Sequence, residues 1–135
     1  MTGGAAPKRK GSQFERDVAG FLRAHGFPYA ERAYGAGRND DRGDLDGLPG
    51  FVVECKAHRE LNLARFVDEA IVEAANAGPG IVPVVVAKRR HRATADAYVV
   101  MRLADWAALA SEASGPQSSP TALLSAPLRI ATEAT

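Results

Sequence analysis

Gly43-Asp44-Leu45-Asp46-Gly47-Leu48-Pro49-Gly50-Phe51-Val52-Val53-Glu54-Cys55-Lys56 is the stretch on which the fold of this chain turns. An acidic opening leads into a Leu48-Pro49-Gly50 turn, and an apolar run then ends in Glu-x-Lys. Phe51-Val52-Val53 has the aromatic and β-branched character of a short buried strand. Side chains alternate along a strand, so Glu54 and Lys56 share one face and Cys55 takes the other. If the Asp44 segment pairs with the Glu54 strand, two carboxylates and one ammonium converge on a small patch. Such a patch suits divalent-metal and phosphate chemistry. Asp46, on the same face as Asp44, is a second candidate acid. Taken alone, the same residues also describe a surface hairpin with an ordinary salt bridge.

Working back towards the N-terminus, residues 27–42 form a polar, glycine-rich stretch with a short strand expected within Tyr29–Tyr34 and a mobile turn at Gly35-Ala36-Gly37. Ser12-Gln13-Phe14-Glu15 matches the capping box and predicts a first helix starting at Ser12. Phe14, Val18, Phe21 and Leu22 give that helix one apolar face. His25 falls in its last turn near the terminal carbonyls, and Gly26 and Pro28 stop it. Residues 1–11, with Lys8-Arg9-Lys10, read as a flexible basic arm.

Towards the C-terminus, Asn62 is the expected N-cap of a second amphipathic helix carrying Leu63, Phe66, Val67, Ala70, Ile71 and Ala74 and ended by Gly78-Pro79-Gly80. Ile81–Ala87 is the most β-like run, with Pro83 required near its start or at an unpaired position. The connection into it is long enough for a right-handed parallel crossover. Ala97–Leu103 predicts another strand and Asp105–Glu112 a short helix, with Trp106 as a core anchor. The order helix, three strands, helix, two strands, helix predicts an α/β fold, a mixed central β-sheet flanked by helices. The domain spans 12–112, and 113–135, rich in Ser, Pro, Ala and Thr, reads as a disordered tail.

A chain of 135 residues suits one domain. No apolar run approaches the roughly 18–20 residues that span a bilayer, and Met1–Lys10 lacks the apolar core of a secretory signal. No membrane partner and a cytoplasmic location are therefore expected. The single cysteine excludes an internal disulfide and multi-cysteine zinc sites. A net charge of +1 means that nucleic-acid binding has to come from local patches. The densest is Lys88-Arg89-Arg90-His91-Arg92, directly after a strand. Aromatic residues are sparse around it in sequence, so base stacking is not expected there.

Lys10-Gly11-Ser12-x-Phe14-Glu15, the polar loop into Gly43-Asp44, the Glu54-Cys55-Lys56 strand end, and the helix and valine-rich strand that follow come in a telling order. Together they resemble the PD-(D/E)xK nuclease superfamily. Within it they resemble the archaeal-type Holliday junction resolvases and the similar small resolvases of phages, over roughly residues 10–110. The resemblance implies a restriction-endonuclease-like core and a Mg²⁺-dependent (or Mn²⁺-dependent) endonuclease that hydrolyses phosphodiester bonds in branched DNA, in recombination and repair. It implies Glu15, Asp44, Glu54 and Lys56 as catalytic residues. Asp44, Glu54, Glu15 and the backbone carbonyl of Cys55 would be metal ligands. The first motif position, often proline in that family, is Gly43 here. A homodimer is implied as well, since two-fold symmetry matches two cuts in a four-way junction.

In that context Lys88, Arg89, Arg90 and Arg92 are candidate DNA contacts, with Lys10, Arg32 and Arg38 as further candidates. His58 follows Lys56 at strand spacing and is read as a hydrogen-bonded surface residue, while Cys55 packs in the core. Alternatives to the resolvase are another nuclease of the superfamily, of repair or restriction type, and a catalytically silent DNA-binding subunit of the same fold.

Overall fold

The computed structural model describes residues 5–33 and 42–116. Arg38, the turn at 35–37 and residues 117–135 of the expected tail lie outside the described residues. Helix α1 spans Ala5–Arg23, followed by strands β1 (Glu31–Arg32), β2 (Leu45–Asp46) and β3 (Phe51–Lys56). Then come helix α2 (Leu63–Ala77), strand β4 (Val82–Ala87), a 3₁₀ turn at Thr94–Asp96, strand β5 (Tyr98–Val100) and helix α3 (Leu103–Ser114). The expected order of helices and strands is present, and the fold is a mixed α/β one.

Three strands in the order β3-β4-β5 form the sheet, β3 and β4 parallel, β4 and β5 antiparallel. The valine-rich β4 is the middle strand, as its continuous apolar run demands. Pro83 sits inside it and is still accommodated. Val82 N–H donates to Gly50 O on the β3 side, so the Pro83 nitrogen faces the other edge, where pairing with β5 begins only at Val85. β1 and β2 make a two-residue antiparallel pair. β2 therefore pairs with β1 rather than forming a full hairpin ladder with β3. Its junction with β3 is made at Asp44, whose N–H donates to Val53 O at 2.8 Å.

Each face of the sheet is covered by one helix. Phe14 and Val18 of α1 pack on Val53, Cys55, Val84 and Val86. Phe66 and Ala70 of α2 pack on Val85, on the opposite face. Burying Phe14 and Phe66 completely contributes about 1.5–3 kcal/mol each. Asn62 caps α2 as expected, its side chain accepting from Arg65 N–H at 3.1 Å, and His25 Nδ1 lies 2.7 Å from Phe21 O at the end of α1.

Helix α1 begins seven residues before the expected start, inside the segment read as an arm. Ala5 and Ala6 are strong helix formers, and Pro7 falls in the first turn, where no amide partner is required. Ser12 is consequently an interior residue and not a cap. The unit from Leu103 onward contains α3, and there Trp106 is 57% exposed rather than a core anchor. One helix alone offers no second layer to bury an indole. Among the described residues no helix is long and apolar enough to cross a membrane.

Two glycines are required by the approach of β1, β2 and β3. Gly43 has φ +95°, and a Cβ there would lie 2.9 Å from Val53 O. Proline, locked near −65°, cannot take that backbone. Gly47 has φ +84°, and a Cβ would sit 2.0 Å from Tyr29 O. Gly47→Ala is therefore expected to destabilise the fold by on the order of 3 kcal/mol, measured by urea denaturation. A loss below 1 kcal/mol would show that the β1–β2 contact is dispensable.

Candidate metal and phosphodiester site

The site is built at the edge of β3 that faces β2. Alternation along β3 puts Glu54 and Lys56 on the α2 face, paired in register with Val85 and Ala87 of β4. Asp44 reaches this edge because its backbone and side chain both bond to β3. Its N–H donates to Val53 O, and its Oδ2 accepts from Cys55 N–H at 2.8 Å. The carboxylate thus satisfies a Cys55 amide that a continued antiparallel ladder would have paired with the chain preceding Asp44. The N–H and C=O of one strand residue point to the same edge, so the Cys55 carbonyl is aimed at the side of β3 where Asp44 lies.

The carboxyls of Asp44 and Glu54 interact with each other, and that of Glu54 also interacts with Glu73 of α2. Glu54 and Glu73 are 6% and 9% exposed, unusually low for glutamates. Burial, followed by the charge of Glu54, pushes Asp44 up to about 7. Burial, followed by the hydrogen bond and charge of Glu73, pushes Glu54 up to about 9. Burial also drives the Cys55 thiol well above its ordinary value, with Asp44, Glu15 and Glu54 adding to it. That thiol stays protonated and packs in the core, as expected.

Lys56 lies in a bracket of acids. Its Nζ is 2.7 Å from Glu69 Oε2 and 3.7 Å from Glu54 Oε2, and 5.0 Å from the centre of the Phe66 ring. Burial works against the ammonium, but the Glu69 hydrogen bond and the charges of Glu54, Glu69 and Asp44 outweigh it and raise its pKa. Lys56 therefore remains a fixed cation beside the Asp44–Glu54 pair.

Glu15 sits where its charge adds to the shift of Asp44. Its carboxylate, however, is engaged elsewhere. Arg32 Nε donates to Glu15 Oε1 at 2.7 Å, and Arg32 Nη2 donates to Ser12 Oγ at 2.9 Å. Both halves of the capping-box signal are thus bound to a residue of β1. Among the described residues no group of three or more His, Cys, Asp or Glu side chains is arranged to hold a metal ion. Asp44 and Glu54 supply two carboxylates, and a third oxygen has to come from the Cys55 backbone. This all-oxygen donor set fits a hard divalent cation. Asp44 raised by burial and the charge of Glu54, and Glu54 raised by burial and Glu73, are also what a dication would relieve.

No family model, curated protein or solved structure matches this chain.

Of the other candidate residues, Asp46 lines a separate shallow cleft with Gly47, Pro49 and Ala77, so it is Asp44 that the fold sets against Glu54. Lys10 falls in the first half of α1, and its side chain lies outside the described residues. His58 packs on Phe66 at 5.0 Å between ring centres. Lys88, Arg89 and Arg90 line a cleft of about 600 Å³ that begins at Ala57 and His58, immediately after Lys56. Arg92 is exposed outside that lining. Lys88 Nζ also stands 6.0 Å from the Phe14 ring, beside Glu15 on α1.

Glu69 and Glu73 were not anticipated from sequence. Glu73 falls within the buried stripe of α2 formed by Phe66, Ala70 and Ala74. A carboxylate on an apolar stripe is the signal that could have found it.

Proposed function

We propose that this protein is a divalent-metal-dependent DNA endonuclease with a restriction-endonuclease-like core, acting on branched DNA as a Holliday junction resolvase. One observation carries the proposal: the Asp44 and Glu54 carboxyls interact at the edge of β3, with the Cys55 carbonyl aimed at the same edge, Asp44 accepting from the Cys55 N–H at 2.8 Å and the Lys56 ammonium 3.7 Å from Glu54. Supporting it is the connection of these groups by an α-β-β-β-α-β order.

Asp44, Glu54 and the Cys55 carbonyl would hold the cation. Bound there, it supplies Lewis acidity at the scissile phosphate and lowers the pKa of a water nucleophile. Lys56 places positive charge beside those carboxylates and offsets the negative charge that grows on the phosphoryl oxygens. Glu69 and Phe66 hold the ammonium in place. Arg32 keeps Glu15 poised near Asp44, where it can be released to accept a proton or a water when DNA draws the guanidinium away. Lys88, Arg89 and Arg90 neutralise the phosphates of the strand leading to the site. A homodimer would present two such sites to the two-fold axis of a four-way junction.

The deciding measurement incubates the protein with a labelled four-way junction or a linear duplex, with Mg²⁺, Mn²⁺ or chelator. Metal-dependent, symmetric cutting of the junction alone is expected. Equal cutting of the duplex points to another nuclease of the superfamily, and binding without cutting under any metal points to the silent subunit. Replacing Arg89 and Arg90 together with Gln should weaken junction binding and reduce the slope of log K against log salt by about 2. An unchanged slope removes this cluster from the interface.

A further inference from the structure

The cleft beside the site has features that phosphate contact does not use. It lies at the carboxyl ends of the parallel strands β3 and β4, the edge at which open α/β sheets bind ligands. Lys88 N–H donates to Lys56 O at 2.9 Å, so the cleft and the site share one strand end. Its lining carries Lys88, Arg89, Arg90 and His58 and no carboxylate. Yet Tyr98 and Leu61 also line it, and Tyr98 is 49% exposed. The Ala87–Tyr98 register pair brings that ring beside the basic turn, where the Arg89 guanidinium lies over it at 4.9 Å. Aromatic residues are sparse around the basic turn in sequence, but the fold brings one to it: Tyr98 lies nine positions beyond Arg89, and the β4–β5 pairing brings them together.

We infer that this cleft holds one unpaired nucleotide of the DNA strand, its base against the Tyr98–Arg89 stack and Leu61 and its phosphates on Lys88 and Arg90. The inference rests on the nuclease reading of the neighbouring site. A water occupies about 30 Å³ of liquid, so a cleft of about 600 Å³ has room well beyond a single phosphate and falls in the range of ligand pockets. A paired base is stacked inside its duplex and cannot enter a recess, whereas a splayed one can rest on an aromatic ring or a guanidinium plane. Phosphate contacts alone would need the cations and neither Tyr98 nor Leu61. The ligand class is therefore a strand with an unstacked base close to the bond to be cut, as at the crossover of a branched junction.

The test is fluorescence anisotropy of the full chain in chelator, with a labelled dT 12-mer and a labelled 12-base-pair duplex as probes. Tyr98→Thr keeps a residue that favours strands and should weaken 12-mer binding about tenfold, the size of one lost base stack, while duplex binding changes less than twofold. Tyr98→Phe should match the parent on both probes. Arg89→Lys keeps the charge and removes the planar group, and should weaken the 12-mer about fivefold at an unchanged salt slope. Equal weakening of both probes by Tyr98→Thr, or of neither, overturns the inference. So does Arg89→Lys binding the 12-mer like the parent, a result that stands even if Tyr98→Thr does not fold. Cutting assays in parallel separate the two proposals. Junction cutting without Tyr98-dependent 12-mer binding leaves the nuclease and removes the nucleotide cleft. Tyr98-dependent binding with no cutting under Mg²⁺ or Mn²⁺ does the reverse.

Discussion

Lys56→Ala is expected to slow Mg²⁺-dependent junction cleavage by about 10²–10³-fold, the usual consequence of removing one preorganised group that meets transition-state charge. Junction affinity should stay within about threefold, because many phosphate contacts share the binding and one lysine carries little of it. The loss should appear in the rate of the bound complex, as for an interaction made chiefly in the transition state. The geometry specifies why this lysine is worth so much. Its Nζ is held by Glu69 at 2.7 Å and Glu54 at 3.7 Å, and the raised pKa keeps it charged throughout any assay range.

Glu69→Ala provides the matched control. It removes the outer of the two acids, on a side chain 44% exposed, and leaves Lys56 next to Glu54. Its effect should be about tenfold, since it loosens the ammonium without deleting it. Single-turnover cleavage of a labelled junction measures both variants. If Lys56→Ala cuts within tenfold of the parent, Lys56 is a structural partner of Glu54 and the site assignment fails.

Signals confined to a few neighbouring residues were legible in the sequence. The Leu48-Pro49-Gly50 turn closes as read, with Phe51 N–H donating to Leu48 O and Gly50 at φ +85°. The apolar runs around Val52 and Val84 became the paired strands, and the spacing of Phe66, Ala70 and Ala74 became the buried stripe of α2. What escaped depends on partners far along the chain. Ser12 and Glu15 satisfy a local capping pattern, yet Arg32, seventeen residues beyond Glu15, takes both side chains. Glu73 stands out in sequence only as a carboxylate on an apolar stripe, and its partner is fixed only when β3 brings Glu54 against α2. Asp44 and Asp46 are both candidate acids in the sequence, and what separates them is a bond to the next strand, the Cys55 N–H on the Asp44 carboxylate. A periodic pattern reports which face of an element is buried, whereas the partner that meets a polar group on that face is set by tertiary pairing.

Without divalent cation, the protein should be most stable on the acid side of neutrality and lose stability steadily from about pH 5 to pH 9. The sign follows from proton counts. Unfolded, Asp44 and Glu54 release their protons near 3.8 and 4.5; folded, they hold them to about 7 and about 9. Between those limits the folded state binds more protons, so stability falls as pH rises, and below about pH 4 both states are protonated and the effect vanishes. Because protons are shared along Asp44, Glu54 and Glu73, the loss belongs to the cluster as a whole and not to either residue alone. Glu54→Gln removes one ionisable member and retains a side chain that can hydrogen-bond both Asp44 and Glu73. At pH 8.5 the variant should melt several degrees above the parent and show a shallower pH slope, while cutting no junctions. Mg²⁺ added at that pH should raise the parent's melting temperature and leave the variant's nearly unchanged. Calorimetry at four or five pH values, with and without Mg²⁺, measures both trends; a parent curve flat from pH 5 to 8, or a variant less stable than the parent at pH 8.5, would falsify the account. A carboxylate kept for the fold would show the opposite pattern, with its loss costing stability wherever it had been charged. Stability gained when activity is lost is what a cluster of buried acids gives when its electrostatic cost is tolerated for the cation it is built to receive.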